Sequence, residues 1–178
     1  MKRMTSILLI LALLPALVGC SPKAEPPQSP VTFYYPADDT IYDGKTAVIH
    51  QEIRDAAGYE EDIEGLLNLY LKGPASESLR SPFPRQVKVT RYSTNSNTIN
   101  LVLSSEFAQL SGIDLTLACA CLANTLFELT QLERVQFFAT DSQLDGQDSI
   151  TLDRNDIYLA DTLPAGTAIS EPSNAPNS

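Results

Sequence analysis

Ile99-Asn100-Leu101-Val102-Leu103-Ser104-Ser105-Glu106-Phe107 is the stretch around which the rest of the chain falls into order. Ile99, Leu101 and Leu103 share one side of an extended segment and Asn100 and Val102 share the other. Period two is the mark of a strand with one buried face. Ser104 and Ser105 end it, because serine favours exit turns through local side-chain hydrogen bonds. Upstream, Val87 and Val89 alternate with Lys88 and Thr90, and the polar run 93–97 separates the two strands, which reads as an antiparallel hairpin. Downstream the period changes. Leu115, Ala118, Cys119, Leu122, Ala123 and Leu126 recur at three and four residues, which predicts a helix over about 114–129. Ser111, three residues before Asp114, resembles a capping-box start. The apolar residues extend beyond one stripe, so this helix is expected to be deeply buried.

Another helix precedes the hairpin. Ile63, Leu66, Leu67, Tyr70 and Leu71 make one apolar stripe; Glu60, Glu61, Asp62 and Glu64 crowd its start, and Lys72 followed by Gly73-Pro74 ends it. Acids at a helix start match its dipole, so this cluster reads as a solvated first turn and not as a metal or acid–base site. Ser81-Pro82-Phe83-Pro84 is a loop. Before the helix, Val31 to Tyr35 alternates and stops at Pro36, and 46–54 is extended with Ala47, Ile49 and Ile53 on one side. After the hairpin and helix, Arg134 to Thr140 carries Val135, Phe137 and Ala139 on one face, and 147–159 adds a strand or hairpin around Ile150, Leu152, Ile157 and Leu159. The order predicts an α+β fold of split β-α-β type, one sheet with two helices packed on one face.

The chain start carries an address. Lys2 and Arg3 precede a 12-residue apolar run, Ile7 to Val18, and then Gly19-Cys20. A spanning helix needs roughly 20 apolar residues, so the run reads as a signal peptide, residues 1–19. Leu17-Val18-Gly19-Cys20 resembles the bacterial lipobox. That implies cleavage before Cys20, lipidation of Cys20, and anchoring on the extracytoplasmic face of the cell membrane by more than the single acyl chain that gives only marginal attachment. Residues 20–30 then form a proline-rich linker reaching at most roughly 30–35 Å. The folded domain is expected over 31–160. Residues 161–178, rich in Pro, Ser, Ala and Asn, read as a disordered tail.

The chain has 12 Lys+Arg against 22 Asp+Glu, a net charge of −10, and loss of Lys2 and Arg3 makes the balance more negative still. Such a protein does not bind nucleic acid through backbone charge. Against this background Arg80, Arg85, Lys88 and Arg91 form a basic cluster. A pole of opposite sign suits head-to-tail assembly into an oligomer or contact with an acidic protein partner, although alternating strand residues that simply face water give the same pattern.

No Gly-x-Ser-x-Gly elbow, His-Glu-x-x-His helix or phosphate-binding glycine loop occurs. His50 is the single histidine, so a catalytic triad must use it; between Ile49 and Gln51 it reads as a surface strand residue. A structure that places it far from every Ser and Asp disposes of the triad. Asp141 to Gly146 invites an EF-hand reading, but Leu152 stands where the bidentate Glu is required and Gln143 stands at the third position. An Asp-Gly turn explains it, with Asp148, Asp153 and Asp156 as further acids nearby. Cys119 and Cys121 lie about 200° apart on their helix and do not pair with each other. Cys119 reads as core; Cys121 is either buried or faces a partner. No catalytic residue, metal or cofactor is assigned.

Several segments together resemble the GerMN domain, the sporulation and spore germination domain. They are Leu66-Leu67 with Leu71-Lys72-Gly73-Pro74, Ser81-Pro82-Phe83-Pro84 before Val87-Lys88-Val89, Ile99 to Phe107, Leu122-Ala123-Asn124-Thr125-Leu126, and Val135-Gln136-Phe137. The resemblance implies a ring-building-motif-like domain with a mixed sheet, in a lipoprotein of a Gram-positive, spore-forming bacterium. It also implies a non-catalytic module for contacts in the cell envelope, during sporulation, germination or vegetative growth, with no cofactor. Recognition of peptidoglycan is the alternative, which an exposed groove lined by Phe33, Tyr34 and Tyr35 would favour; an envelope hydrolase using His50 or the acidic loop is third.

Overall fold

The computed structural model describes residues 27–39, 47–59 and 61–157. The signal peptide 1–19, Cys20 with most of its linker, and the tail 161–178 lie outside the described residues. Nine elements follow one another in the described part. Strands β1 (Pro30–Pro36) and β2 (Ile49–Asp55) precede helix α1 (Ile63–Leu71). Then come β3 (Val89–Asn95), β4 (Thr98–Leu103), a short 3-10 helix (Ser105–Gln109), α2 (Gly112–Leu129), β5 (Arg134–Ala139) and β6 (Ile150–Asp153).

The fold is α+β with a mixed sheet. Four strands lie in the order β3-β4-β5-β6, with β4 and β5 parallel and both outer pairs antiparallel. The antiparallel β3–β4 pair needs only the turn at Ser96, where φ is 51°, whereas the parallel β4–β5 pair needs a long crossover, which α2 provides. One sheet face is formed by Ile99, Leu101 and Leu103 of β4 and Val135, Phe137 and Ala139 of β5. It packs into a single core with Leu67 and Tyr70 of α1 and Leu115, Ala118, Cys119, Leu122 and Leu126 of α2. Each Val, Leu, Ile or Phe among them contributes roughly 1.5–3 kcal/mol when taken from water, which is why the alternating and helical patterns are so regular. Helix α2 has the length and hydropathy of a membrane span, yet it is the core helix here, with ten buried residues.

The expectation of one sheet is corrected. Strands β1 and β2 pair with each other and form a separate antiparallel ribbon. The reason lies on the outer edge of β1. The Tyr34 N–H donates to Thr125 Oγ1 of α2 at 3.0 Å, and the Tyr34 carbonyl accepts the Tyr70 hydroxyl of α1 at 3.0 Å. The Pro36 carbonyl accepts the Arg80 N–H at 3.0 Å. Helix side chains and a loop therefore occupy the groups a neighbouring strand would have used. Ile53, which shares a side with Ala47 and Ile49 in the alternation, is 65 % exposed on β2, the ribbon's outer strand. Val87 is buried as expected but lies in the approach to β3, not within the strand.

The helix starts differ from each other. At α1, Asp62 is the N-cap and its carboxylate accepts the Gly65 N–H at 2.9 Å. At α2, Ser111 occupies the cap position without a side-chain capping bond, and Asp145 reaches back from the acidic loop to accept the Gly112 N–H at 3.4 Å.

Candidate functional site

The four basic residues fall into different surroundings. The Arg80 guanidinium turns toward Asp114 in the first turn of α2, 3.9 Å away. Arg85 is exposed and lines a groove beside the end of α1 that includes Lys72, Gly73 and Ser81. Lys88 is exposed next to the 3-10 helix; its charge assists the Ser104 hydroxyl and a backbone N–H in holding Glu106 below the usual carboxylate range. Arg91 follows a register shift in β3 and lines a fourth place, the outer face of the four-stranded sheet. Arg85 and Arg91 line different depressions.

That outer face carries no helix among the described residues. Register sets its rows: Arg91, Val102 and Phe138 run across β3, β4 and β5, and Ser93, Asn100 and Gln136 form the next row. Arg91, Ser93, Asn100, Val102 and Phe138, together with Asp141 beyond the end of β5, frame an open cleft of about 600 Å³. Its centre is apolar, Val102 and Phe138, and its rim is polar. Asp141 is held at φ 52°, a left-handed conformation that Asp tolerates better than most residues. Alternation alone puts Asn100 and Val102 opposite the apolar side of β4 and singles out no role for Phe138. Only the register brings them together with Arg91.

The aromatic trio proposed for a wall-binding groove is not exposed. Phe33, Tyr34 and Tyr35 are 0 %, 7 % and 0 % exposed. Tyr35 stacks on Tyr70 with centroids 4.7 Å apart, and Phe33 meets Tyr70 edge-on at 5.6 Å. Burial raises the hydroxyls of Tyr34, Tyr35 and Tyr70 above the ordinary tyrosine range. These residues are core, and a groove built on them is ruled out.

His50 is not far from Ser and Asp: it shares a depression with Asp39, Ser76 and Ser78. The hydrogen bonds run elsewhere. Its Nε2 lies 3.0 Å from the Ala47 carbonyl, and the Ser76 and Ser78 hydroxyls bond to each other at 2.8 Å. Glu52 in the same depression accepts the Ala75 and Ser76 N–H groups and pairs with Arg54 at 3.3 Å. Among the described residues no hydrogen bond links His50 to a serine or an aspartate, so no proton relay is assembled.

Three acids of 141–156 are engaged one at a time. Asp145 caps α2, Asp148 accepts the Gln143 amide at 2.9 Å, and Asp153 pairs with Arg134 at 2.6 Å. Among the described residues no group of three or more His, Cys, Asp or Glu is placed to hold a metal. Cys119 and Cys121 are both buried free thiols; burial pushes Cys119 up to about 12 and raises Cys121 as well. That settles Cys121 as a core residue.

The Germane family, described as sporulation and spore germination, matches residues 32–145, which begin in β1 and end in the loop after β5. The chain belongs to the Germane family. Among solved structures, the tandem GerMN domains of the sporulation protein GerM from Bacillus subtilis share the Germane fold with a TM-score of 0.50 at 18 % identity. The match covers 68 % of this chain and 43 % of that one, so the Germane domain here spans less than half of the tandem structure. A crystal structure of a candidate lipoprotein from Clostridium perfringens matches with a TM-score of 0.41 and 16 % identity over 72 % of this chain and 90 % of that one. No curated protein matches the sequence.

Proposed function

We propose that this Germane domain is a lipoprotein of sporulation or germination. In this reading it is held on the extracytoplasmic face of the cell membrane by lipid on Cys20 and works without catalysis, as a contact module for another envelope protein. The observation that carries the reading is the order of its parts: Leu17-Val18-Gly19-Cys20, a proline-rich linker, and then a sporulation and germination domain over 32–145. The non-catalytic half is supported by the His50 ring bonded to a backbone carbonyl and by thiols locked in the core. Arg85 and Lys88, exposed and in no ion pair among the described residues, are the natural contacts for an acidic partner.

The test is a pair of variants in the native host. Cys20→Ala abolishes incorporation of labelled palmitate and moves the protein out of the membrane fraction or leaves the precursor uncut. Unchanged labelling and fractionation refute the anchor. Charge reversal at Arg85 and Lys88 reduces in-cell crosslinking to the partner while the thermal melt stays the same; undiminished crosslinking refutes the contact surface.

A further inference from the structure

We propose that the cleft on the open face of the four-stranded sheet binds a glycan of N-acetylated amino sugars with free carboxylates on its unsubstituted lactyl groups or its stem peptides, the polymer of the bacterial wall. This moves the wall-ligand alternative away from the buried residues 33–35 and gives it a different site. The cleft holds three kinds of group that such a ligand needs. Val102 and the half-buried Phe138, paired in register across β4 and β5, form an apolar platform for the C–H face of a sugar ring, because the face of an aromatic ring is electron-rich. Ser93, Asn100 and Asp141 supply a hydroxyl, a planar amide and a carboxylate for sugar hydroxyls and N-acetyl groups. Arg91 presents a planar guanidinium that matches a carboxylate with two parallel hydrogen bonds.

Charge selects this occupant over others. Arg54, Arg80 and Arg134 are each paired with an acid, whereas Arg91 and Asp141 stand in no salt bridge among the described residues. A neutral glycan leaves Arg91 without a partner. A nucleic acid, with a phosphate on every nucleotide, is repelled more strongly by Asp141 and by a chain carrying −10 overall than a glycan whose carboxylates are spaced apart. A stable protein interface needs a broad, well-packed centre, and the cleft offers only Val102 and Phe138 with the edge of Ala139. A shallow cleft of about 600 Å³ is instead the size of a small-ligand site.

Co-sedimentation with purified, protein-free wall sacculi tests the assignment. The protein used runs from residue 20 to 178 with Cys20→Ser, so that membrane attachment does not enter and failure here leaves the anchor experiment standing. The wild type pellets with sacculi. Arg91→Ala and Phe138→Leu each weaken binding by roughly tenfold or more, the scale of a lost charge-assisted contact, and Arg91→Lys recovers part of the loss. A soluble amino-sugar disaccharide carrying the lactyl carboxylate displaces the protein at a concentration at least roughly tenfold below that of the neutral disaccharide. Arg91 is an exposed side chain, so its variants are expected to keep the wild-type melt and to decide the matter even where Phe138→Leu perturbs the sheet. Absence of pelleting, full pelleting by folded Arg91→Ala, or equal competition by the neutral sugar overturns the assignment.

Discussion

Removing one hydroxyl from each of two stacked tyrosines should give unequal losses of stability. The Tyr70 hydroxyl donates to the Tyr34 carbonyl at 3.0 Å, and the Tyr35 hydroxyl donates to the Tyr70 carbonyl at 2.8 Å. The bonds look reciprocal, but their acceptors differ. The Tyr70 carbonyl also accepts the Gly73 N–H at 2.9 Å, so it keeps a partner in Tyr35→Phe. The Tyr34 carbonyl faces away from β2, as the Tyr34 N–H does in reaching Thr125, so Tyr70→Phe leaves it buried and unpaired. Losing a bond with the acceptor still satisfied costs about 0.5–1.5 kcal/mol, and orphaning a buried carbonyl costs about 1–3 kcal/mol. With a urea slope of about 2 kcal/mol/M, Tyr70→Phe lowers the unfolding midpoint by about 1 M and Tyr35→Phe by about half of that. Urea titration followed by circular dichroism reads both. A Tyr35→Phe loss equal to or greater than that of Tyr70→Phe refutes the reasoning. The pH dependence carries the same signature. Both hydroxyls are raised in the native state by burial, so above about pH 10 the unfolded chain releases protons first, and stability falls as pH rises past that point. The fall should be shallower in Tyr70→Phe, which has one fewer raised group.

Two further outcomes are expected. Arg154 donates from Nη2 to the carbonyls of Phe127, Thr130 and Leu132 at 2.7, 3.0 and 2.7 Å, and its guanidinium lies 5.0 Å from the Phe127 ring centroid. It closes the end of α2, so Arg154→Ala should cost about 2–4 kcal/mol and lower the calorimetric Tm by several degrees, with Arg154→Lys only partly restoring it. An unchanged Tm would contradict the capping role. Cys119 and Cys121, buried and poorly ionised, should not react with an aromatic disulfide reagent at pH 8 until urea unfolds the chain; fast labelling of native protein would show that the core opens at α2.

Local pattern was enough for the elements that bury one clean face. The 99–103 alternation, the α1 and α2 stripes and the Val135-Phe137-Ala139 strand all appear where their periods placed them, because burial imposes those periods directly. What stayed hidden depends on groups far apart in sequence. Thr125 sits 91 residues from Tyr34, and that contact, with Tyr70, makes the β1–β2 ribbon a separate sheet. Asp145 caps a helix 33 residues earlier, and Arg154 reaches carbonyls 22 to 27 residues before it, which the apolar points of 147–159 do not reveal. The cleft was hidden for a related reason. Phe138 and Val102 break no rule as the outward residues of their strands, and their meeting with Arg91 is a matter of register, which no single strand encodes.

The seat of β1 has a mechanical consequence. Chain ends commonly fray, but here the first described residues are fastened: the Gln28 and Ser29 N–H groups bond to the Asp55 carboxylate, and the strand that follows is zipped to β2 along its whole length. A pull along the strand from the residues before Pro27 therefore loads the rungs of the ribbon together with the Thr125 and Tyr70 bonds to Tyr34, in shear and in parallel, instead of peeling them one by one. The load passes into both helices and the shared aromatic stack before any edge opens. If Cys20 carries lipid as proposed, tension arriving at Pro27 meets this joint before it reaches the sheet face on the other side of the core.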